Sequence, residues 1–175
     1  RAIDDVSVAV EAGQVFSIIG PNGSGKTTMF NLVSGLYVPN QGSIRFAGET
    51  VTGLEPDRLA RRGLSRTFQN LQIFSRMSVL ENVMVGHHRH EETGILADLL
   101  HWPSVTLQNA ATREVALTAL ARVGLADEAR RASGSLSYGA LKRLEIARAL
   151  ASDPKLLLLD EPAAGCNPVE TQEID

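Results

Sequence analysis

The residues Gly20-Pro21-Asn22-Gly23-Ser24-Gly25-Lys26-Thr27 fit the spacing G-x-x-x-x-G-K-[ST] at every fixed position. They follow an apolar stretch, Val15 to Gly20, and precede the helix-like pattern MFNLVSGL. Such a segment is suited to holding phosphates. Glycines let backbone N–H groups turn inward around phosphate oxygens. The following helix N-terminus adds partial positive charge. In this arrangement Lys26 reaches the β- and γ-phosphates, the Thr27 hydroxyl ligates Mg²⁺, and Thr28 adds a further phosphate contact. Asn22, Gly23, Ser24 and Gly25 complete the nucleotide-binding set.

A second group of acids stands far along the chain. Leu156 to Leu159 are apolar and end in Asp160 and Glu161. A continuous apolar run reads as a strand buried on both faces. Asp160 at its C-terminal end is placed to hold Mg²⁺ through water. Glu161 can orient an attacking water and accept its proton. Two acids closing a strand are also what a solvated terminus looks like. The neighbouring phosphate loop selects the catalytic alternative, and the pair separates a nucleotide hydrolase from a switch protein.

The third feature is SLSYGALKRLEIARAL, Ser135 to Leu150. Its right half is an amphipathic helix with Leu141, Leu144, Ala147 and Ala151 on one face and Lys142, Arg143, Glu145 and Arg148 elsewhere. Ser137 stands where an N-cap would, which needs no further purpose. The same open helix end, with Gly139 beside it, is equally suited to receive something negative.

Behind these groups the chain predicts a mixed α/β architecture. Val6–Val10 and Val15–Gly20 read as strands, and SIRFAG (43–48) as another. LEPDRLARRG reads as a short helix with Pro56 near its start and Gly63 at its end. LSRTFQN is a strand running into a loop. From Ser78 the pattern is helical: SVLENVMVG opens on a capping box of Ser78 and Glu81. HHRHEETG is a polar break, ILADLLHWPS a short helix stopped by Pro103, and LQNAATREVALTALARVGL a long helix ended by Gly124. These elements predict a nucleotide-binding α/β core, 1–75 and 151–175, interrupted by a helical subdomain, 76–150.

The bulk properties narrow the class. With 43% hydrophobic and 21% charged residues the chain is an ordinary globular one. A net charge of −3 disfavours a general nucleic-acid binder. One cysteine, Cys166, excludes an internal disulfide framework and suits a reducing compartment. No apolar run approaches the roughly 20 residues that span a bilayer, and no signal peptide is visible. The first residue is Arg1 and the last five are TQEID, so the chain reads as cut at both ends. His87, His88 and His90 lack a carboxylate or cysteine pattern around them and read as surface groups rather than a metal site. Arg58, Arg61, Arg62 and Arg66 read as a solvated face. Phe74 and Met77 read either as core or as the lining of a groove for a partner's helix.

Taken together, the phosphate loop at 20–27, the LLLLDE strand at 156–161 and LSYGA at 136–140 resemble the ATP-binding subunits of ABC transporters. Of the family's LSGGQ signature, Leu136, Ser137 and Gly139 match; Tyr138 replaces a glycine and Ala140 the glutamine. Gln69 in RTFQN fits the family's Q-loop. DEPAAGCNPVET, KRLEIARAL and the insertion around GHHRH…LLHWPS are similar to branched-chain amino acid importers with two different ATPase subunits, including Asn167 where most of the family has aspartate. The likeness implies a P-loop NTPase fold of the ABC ATPase type: a mainly parallel sheet core, an N-terminal antiparallel β portion and an inserted helical subdomain. It implies an ATPase with ATP and Mg²⁺ as cofactors, Glu161, Lys26 and Gln69 as catalytic residues, and Thr27, Gln69 and Asp160 at the metal. It further implies a second ATPase subunit, in a homo- or heterodimer. The two would meet head to tail, so that Ser137 and Gly139 contact ATP held by the partner and Asn167 lines the seam. Transmembrane permease subunits would bind it at the cytoplasmic face of the cell membrane, with a solute-binding protein acting indirectly and no nucleic acid. Uptake of branched-chain amino acids is the function implied, with another cargo (urea or amides, or lipopolysaccharide export) or a soluble non-transport ABC ATPase as alternatives. The family's switch histidine and adenine-stacking aromatic would lie beyond Asp175 and before Arg1, so the chain as given is expected to hydrolyse ATP weakly.

Overall fold

The computed structural model describes residues 3–67, 71–87, 103–162 and 164, with backbone alone for 103–109. The described chain forms two compact units, dividing after Arg62.

In the first unit, helix α1 (Lys26–Val33) follows the phosphate loop. A two-residue hairpin comes next, β1 (Arg45–Phe46) against β2 (Glu49–Thr50), antiparallel with Phe46 opposite Glu49. Its turn residues Ala47 and Gly48 have φ of 50° and 84°, the left-handed pair that a tight hairpin of matching twist requires. Helix α2 (Pro56–Arg61) starts with proline in its first turn and buries Leu59. Proline is tolerated there because its missing N–H would have no intrahelical partner.

Two expected strands are absent from this unit. Val6–Val10 and Val15–Gly20 form no strand and carry no strand pairing. Val15 is 98% exposed and Ile19 93%, while Phe16 and Ile18 between them are 50% and 39% exposed. The alternation is that of a strand, but a ladder needs a hydrogen-bonded neighbour, and none stands beside this stretch among the described residues. An apolar run supplies only the side-chain half of that requirement.

The second unit carries the parallel pair β3 (Leu64–Arg66) and β4 (Leu156–Leu158), with Leu64 opposite Leu156 and Arg66 opposite Leu158. β4 is half-buried rather than fully enclosed. Between the two strands in sequence lie α3 (Val79–His87), α4 (Pro103–Arg122) and α5 (Tyr138–Leu150). The long helix therefore begins at Pro103 itself, four residues before the expected start. The preceding ILADLLHW segment lies outside the described residues.

These three helices enclose the core. Val79 and Val83 from α3, Ala116, Ala119 and Leu120 from α4, and Leu144 and Ala147 from α5 are all buried together. Each large side chain so enclosed contributes about 1.5–3 kcal/mol. The small residues let the helices approach closely. A Cβ placed on Gly86 of α3 would sit 2.1 Å from the Arg148 carbonyl oxygen of α5, so only glycine fits that crossing. α5 is more enclosed than its apolar stripe predicts: Lys142 and Glu145 are each 3% exposed, while Leu141 is only half-buried. Packing from several sides widens the buried arc beyond one stripe.

The N-terminus of α3 is fully engaged. Ser78 N–H and Oγ–H both donate to Glu81 Oε2, at 2.7 and 2.8 Å, and Glu81 N–H donates back to Ser78 Oγ at 3.2 Å. This is the predicted capping box. Val79 N–H and Leu80 N–H donate to the carbonyls of Arg131 and Ala129, each at 2.9 Å. Asn82, wholly buried, closes the arrangement. Its Nδ2 donates to Phe74 O (3.1 Å), Ser78 O (2.9 Å) and Ser133 Oγ (3.2 Å), and its Oδ1 accepts from Phe74 N–H (2.9 Å).

Two predictions follow from this helix end. Asn82→Ala leaves buried donors and acceptors unmatched and is expected to lower the unfolding free energy by about 2–4 kcal/mol, measured by urea denaturation. The hydrogen bond from the Ser78 N–H, reinforced by its hydroxyl, holds the Glu81 carboxyl below its ordinary range. Its folded-state pKa being the lower one, its contribution is present above the unfolded pKa and disappears as pH falls through the folded value. The stability difference between wild type and Glu81→Gln is therefore expected to be full near neutral pH and to shrink as pH falls below the ordinary glutamate range, as thermal melts across that range would record.

Candidate functional site

The phosphate loop is built by its glycines. Ser24 N–H donates to Pro21 O (3.2 Å), closing a turn in which Gly23 has φ 83°. Gly25 follows at φ 94°, in the left-handed region, and is the N-cap of α1. No side chain caps that end, and Met29 N–H is bonded to Gly25 O (2.9 Å), the first turn of the helical ladder. By helix geometry the N–H groups of the first turn have no intrahelical acceptor, so they point outward as a ready anion site. Lys26 folds back over the loop, its Nζ donating to Gly20 O (2.7 Å) and Pro21 O (3.0 Å). Thr27 is exposed at the same helix end and Thr28 half-buried.

In the second unit, Asp160 lies just past β4. Its Oδ2 accepts from Arg66 Nη2 at 3.0 Å, and the two side chains are 14% and 9% exposed. Asp160 N–H donates to Thr67 Oγ1 (3.3 Å), while Thr67 N–H donates to Leu158 O (3.0 Å). Arg66 therefore departs from the solvated face expected of it. Arg61 and Arg62, by contrast, make exposed pairs with Asp57 and Glu49. In the sequence Arg66 resembles its surface neighbours Arg58, Arg61 and Arg62; the signal that sets it apart is its place on the strand leading to Gln69.

Glu161 follows with φ 49°, a left-handed conformation that costs a non-glycine residue roughly 1–2 kcal/mol. Its carbonyl accepts from Ala164 N–H (3.0 Å) in a tight turn. A strained residue directly after Asp160 is the kind of outlier that accompanies functional sites.

Ser137 is the N-cap of α5, with φ −65° and ψ 163°, and its Oγ accepts from Ala140 N–H at 3.3 Å. Gly139 and Ala140 are buried. Ala140, where the family signature has glutamine, places its methyl in the helical core beside Leu144 and Ala147. Tyr138 stays 43% exposed, its ring 5.9 Å from Lys142 Nζ, within cation–π range.

A cavity of about 300 Å³ opens between β3, α3 and α5, lined among others by Ser65, Arg66, Thr67, Gly86, Glu145 and Arg148. Burial pulls the Arg148 guanidinium below its ordinary pKa, which Glu145 opposes. Arg148 also donates to Gln72 O, tying α5 to the segment after β3. Phe74 and Met77 are 49% and 39% exposed. His87 Nδ1 lies 3.0 Å from Ala151 O. Gln69, Asn167, His88, His90 and Cys166 lie outside the described residues. No described helix is long and apolar enough to cross a membrane.

A phosphate loop on an uncapped helix and an acid pair closing a parallel strand define a P-loop nucleotide-binding ATPase. The family is narrower: residues 3–164 match the ABC transporter family, and the chain belongs to it. It is 46% identical over 173 residues to the high-affinity branched-chain amino acid transport ATP-binding protein BraF of Pseudomonas aeruginosa, covering 99% of this chain and 68% of that protein. It is similar to the structure of the ADP conformation of MJ1267, an ATP-binding cassette of an ABC transporter (35% identity, TM-score 0.80, 99% of this chain and 67% of that one). It also matches the dimeric post-hydrolysis state of the cassette MJ0796 bound to ADP and Pi (26% identity, TM-score 0.76, 99% and 71%).

The cap at Ser137 gives a direct measurement. Ser137→Ala is expected to lower the unfolding free energy by about 1 kcal/mol, whereas Ser137→Asp, which caps equally well, should stay within about 0.5 kcal/mol of wild type. Parallel urea titrations distinguish the two.

Proposed function

We propose that this chain is the ATP-hydrolysing subunit of an importer for branched-chain or related hydrophobic amino acids. The observation that carries the reading is the 46% identity to BraF across 99% of the chain. The reading divides it into an α/β core, 1–75 and 151–175, and an inserted helical subdomain, 76–150, that presents Ser137.

In this reading the loop N–H groups of Asn22 to Gly25 and the first turn of α1 hold the nucleotide phosphates. Lys26 exchanges its two loop carbonyls for β- and γ-phosphate oxygens. Thr28 adds a contact at the same helix end. Thr27 hydroxyl and Asp160 carboxylate are hard oxygen donors, which suit Mg²⁺, and Gln69 would join them. The ion, when bound, neutralises charge on the phosphate oxygens. Glu161 orients the attacking water and takes its proton. Ser137 Oγ and the Gly139 backbone at the start of α5 meet the γ-phosphate of ATP held by a second subunit in a head-to-tail dimer, and Asn167 lines the seam between them. The dimeric state of MJ0796 supports that arrangement. The pair would bind permease subunits at the cytoplasmic face of the membrane, and through them a solute-binding protein.

Glu161→Gln is expected to bind ATP as wild type does and to lose about 100-fold or more in turnover, read by phosphate release alongside nucleotide titration. Turnover near wild type would remove Glu161 as the base. The cargo is tested by purifying the full-length subunit from membranes with its permease and measuring leucine-stimulated turnover in vesicles. A complex that responds to another solute and not to leucine would overturn the amino-acid assignment.

A further inference from the structure

Arg66 and Thr67 are adjacent residues, and both engage Asp160. Arg66 is the last residue of β3 and sits opposite Leu158 in the parallel pair, so its side chain reaches across the end of β4. Its Nη2 takes Oδ2 of Asp160 at 3.0 Å, in a pair nearly closed to solvent. Thr67, 4% exposed, is bonded twice to the end of β4 and the residue past it: its N–H donates to Leu158 O, and its Oγ1 accepts from the Asp160 N–H. Backbone and carboxylate of Asp160 are thus gripped by separate groups. A largely enclosed carboxylate with one oxygen committed to a guanidinium is restrained in rotation and keeps its other oxygen to accept from other donors.

We infer that Arg66 is a positioning residue for Asp160: with Thr67, it fixes the carboxylate so that Oδ1 is presented to the water shell of the nucleotide-bound magnesium. This rests on the ATPase reading above. It assigns to Arg66 an effect opposite in sign to that of its charge alone. A cation beside a metal-binding acid repels the metal, so removing it would by Coulomb's law tighten metal binding. Removing a positioning group weakens it.

The sign decides the test. Full-length protein carrying Arg66→Met or Arg66→Lys is compared with wild type for two affinities. One is Mn²⁺ bound to the protein–ADP complex, by electron paramagnetic resonance; the other is ADP binding in excess EDTA. Arg66→Met is expected to weaken Mn²⁺ binding at least fivefold with ADP affinity in EDTA unchanged, and Arg66→Lys to recover part of the loss. Unchanged or tighter Mn²⁺ binding in Arg66→Met overturns the inference while leaving the ATPase reading intact. If Arg66→Met does not fold, Arg66→Lys decides: Mn²⁺ affinity equal to wild type overturns the inference, and a twofold or greater loss with a wild-type melting temperature supports it. Absence of ADP binding by wild type in both conditions overturns the nucleotide-binding reading, and the inference with it.

Discussion

The second unit depends on a single buried amide. Asn82 joins three pieces of chain at once: the segment at Phe74, the first turn of α3, and the turn at Ser133, whose own hydroxyl also donates to Phe74 O. Its partners include both acceptors (two backbone carbonyls and a small hydroxyl) and a donor, the Phe74 N–H, which suits an amide that both donates and accepts. Neutral hydrogen bonds contribute about 1 kcal/mol each when made, but a buried polar group left without its partner costs more. The arrangement therefore tolerates little partial formation. It also lies in sequence between the segment leaving β3 through Gln72 and Phe74 and the one leading into Ser137.

The helix N-termini of α1 and α5, one in each unit, solve the same electrostatic problem differently. α1 begins at a glycine with no side-chain cap, leaving its first N–H groups for a ligand. α5 begins at Ser137, whose hydroxyl already accepts from Ala140. The first end is committed to binding; the second is stable without a ligand, and its serine can lend the hydroxyl proton while its oxygen stays on the cap. The buried methyl of Ala140 holds that end down against the core.

Local features were legible in the sequence: the phosphate loop, the Ser78–Glu81 box, the proline at the start of α2 and the serine cap of α5 all depend on residues within a few positions of one another. What escaped the sequence was long-range. The Arg66–Asp160 pair spans 94 positions, and Arg66 looked like its surface neighbours. The burial of Lys142 and Glu145 comes from α5 being packed on several sides, which its own periodicity does not encode. The apolar stretch at Val15–Ile19 looked like a strand because side-chain pattern was visible and hydrogen-bond partnership was not.

Lys26 gives the phosphate loop a property of its own. With its ammonium held by Gly20 and Pro21 carbonyls, the lysine acts as a placeholder, keeping the loop in shape by occupying it from within. On the proposed reading, nucleotide arrival is a substitution rather than an addition, and the affinity is a difference between two sets of bonds to the same ammonium.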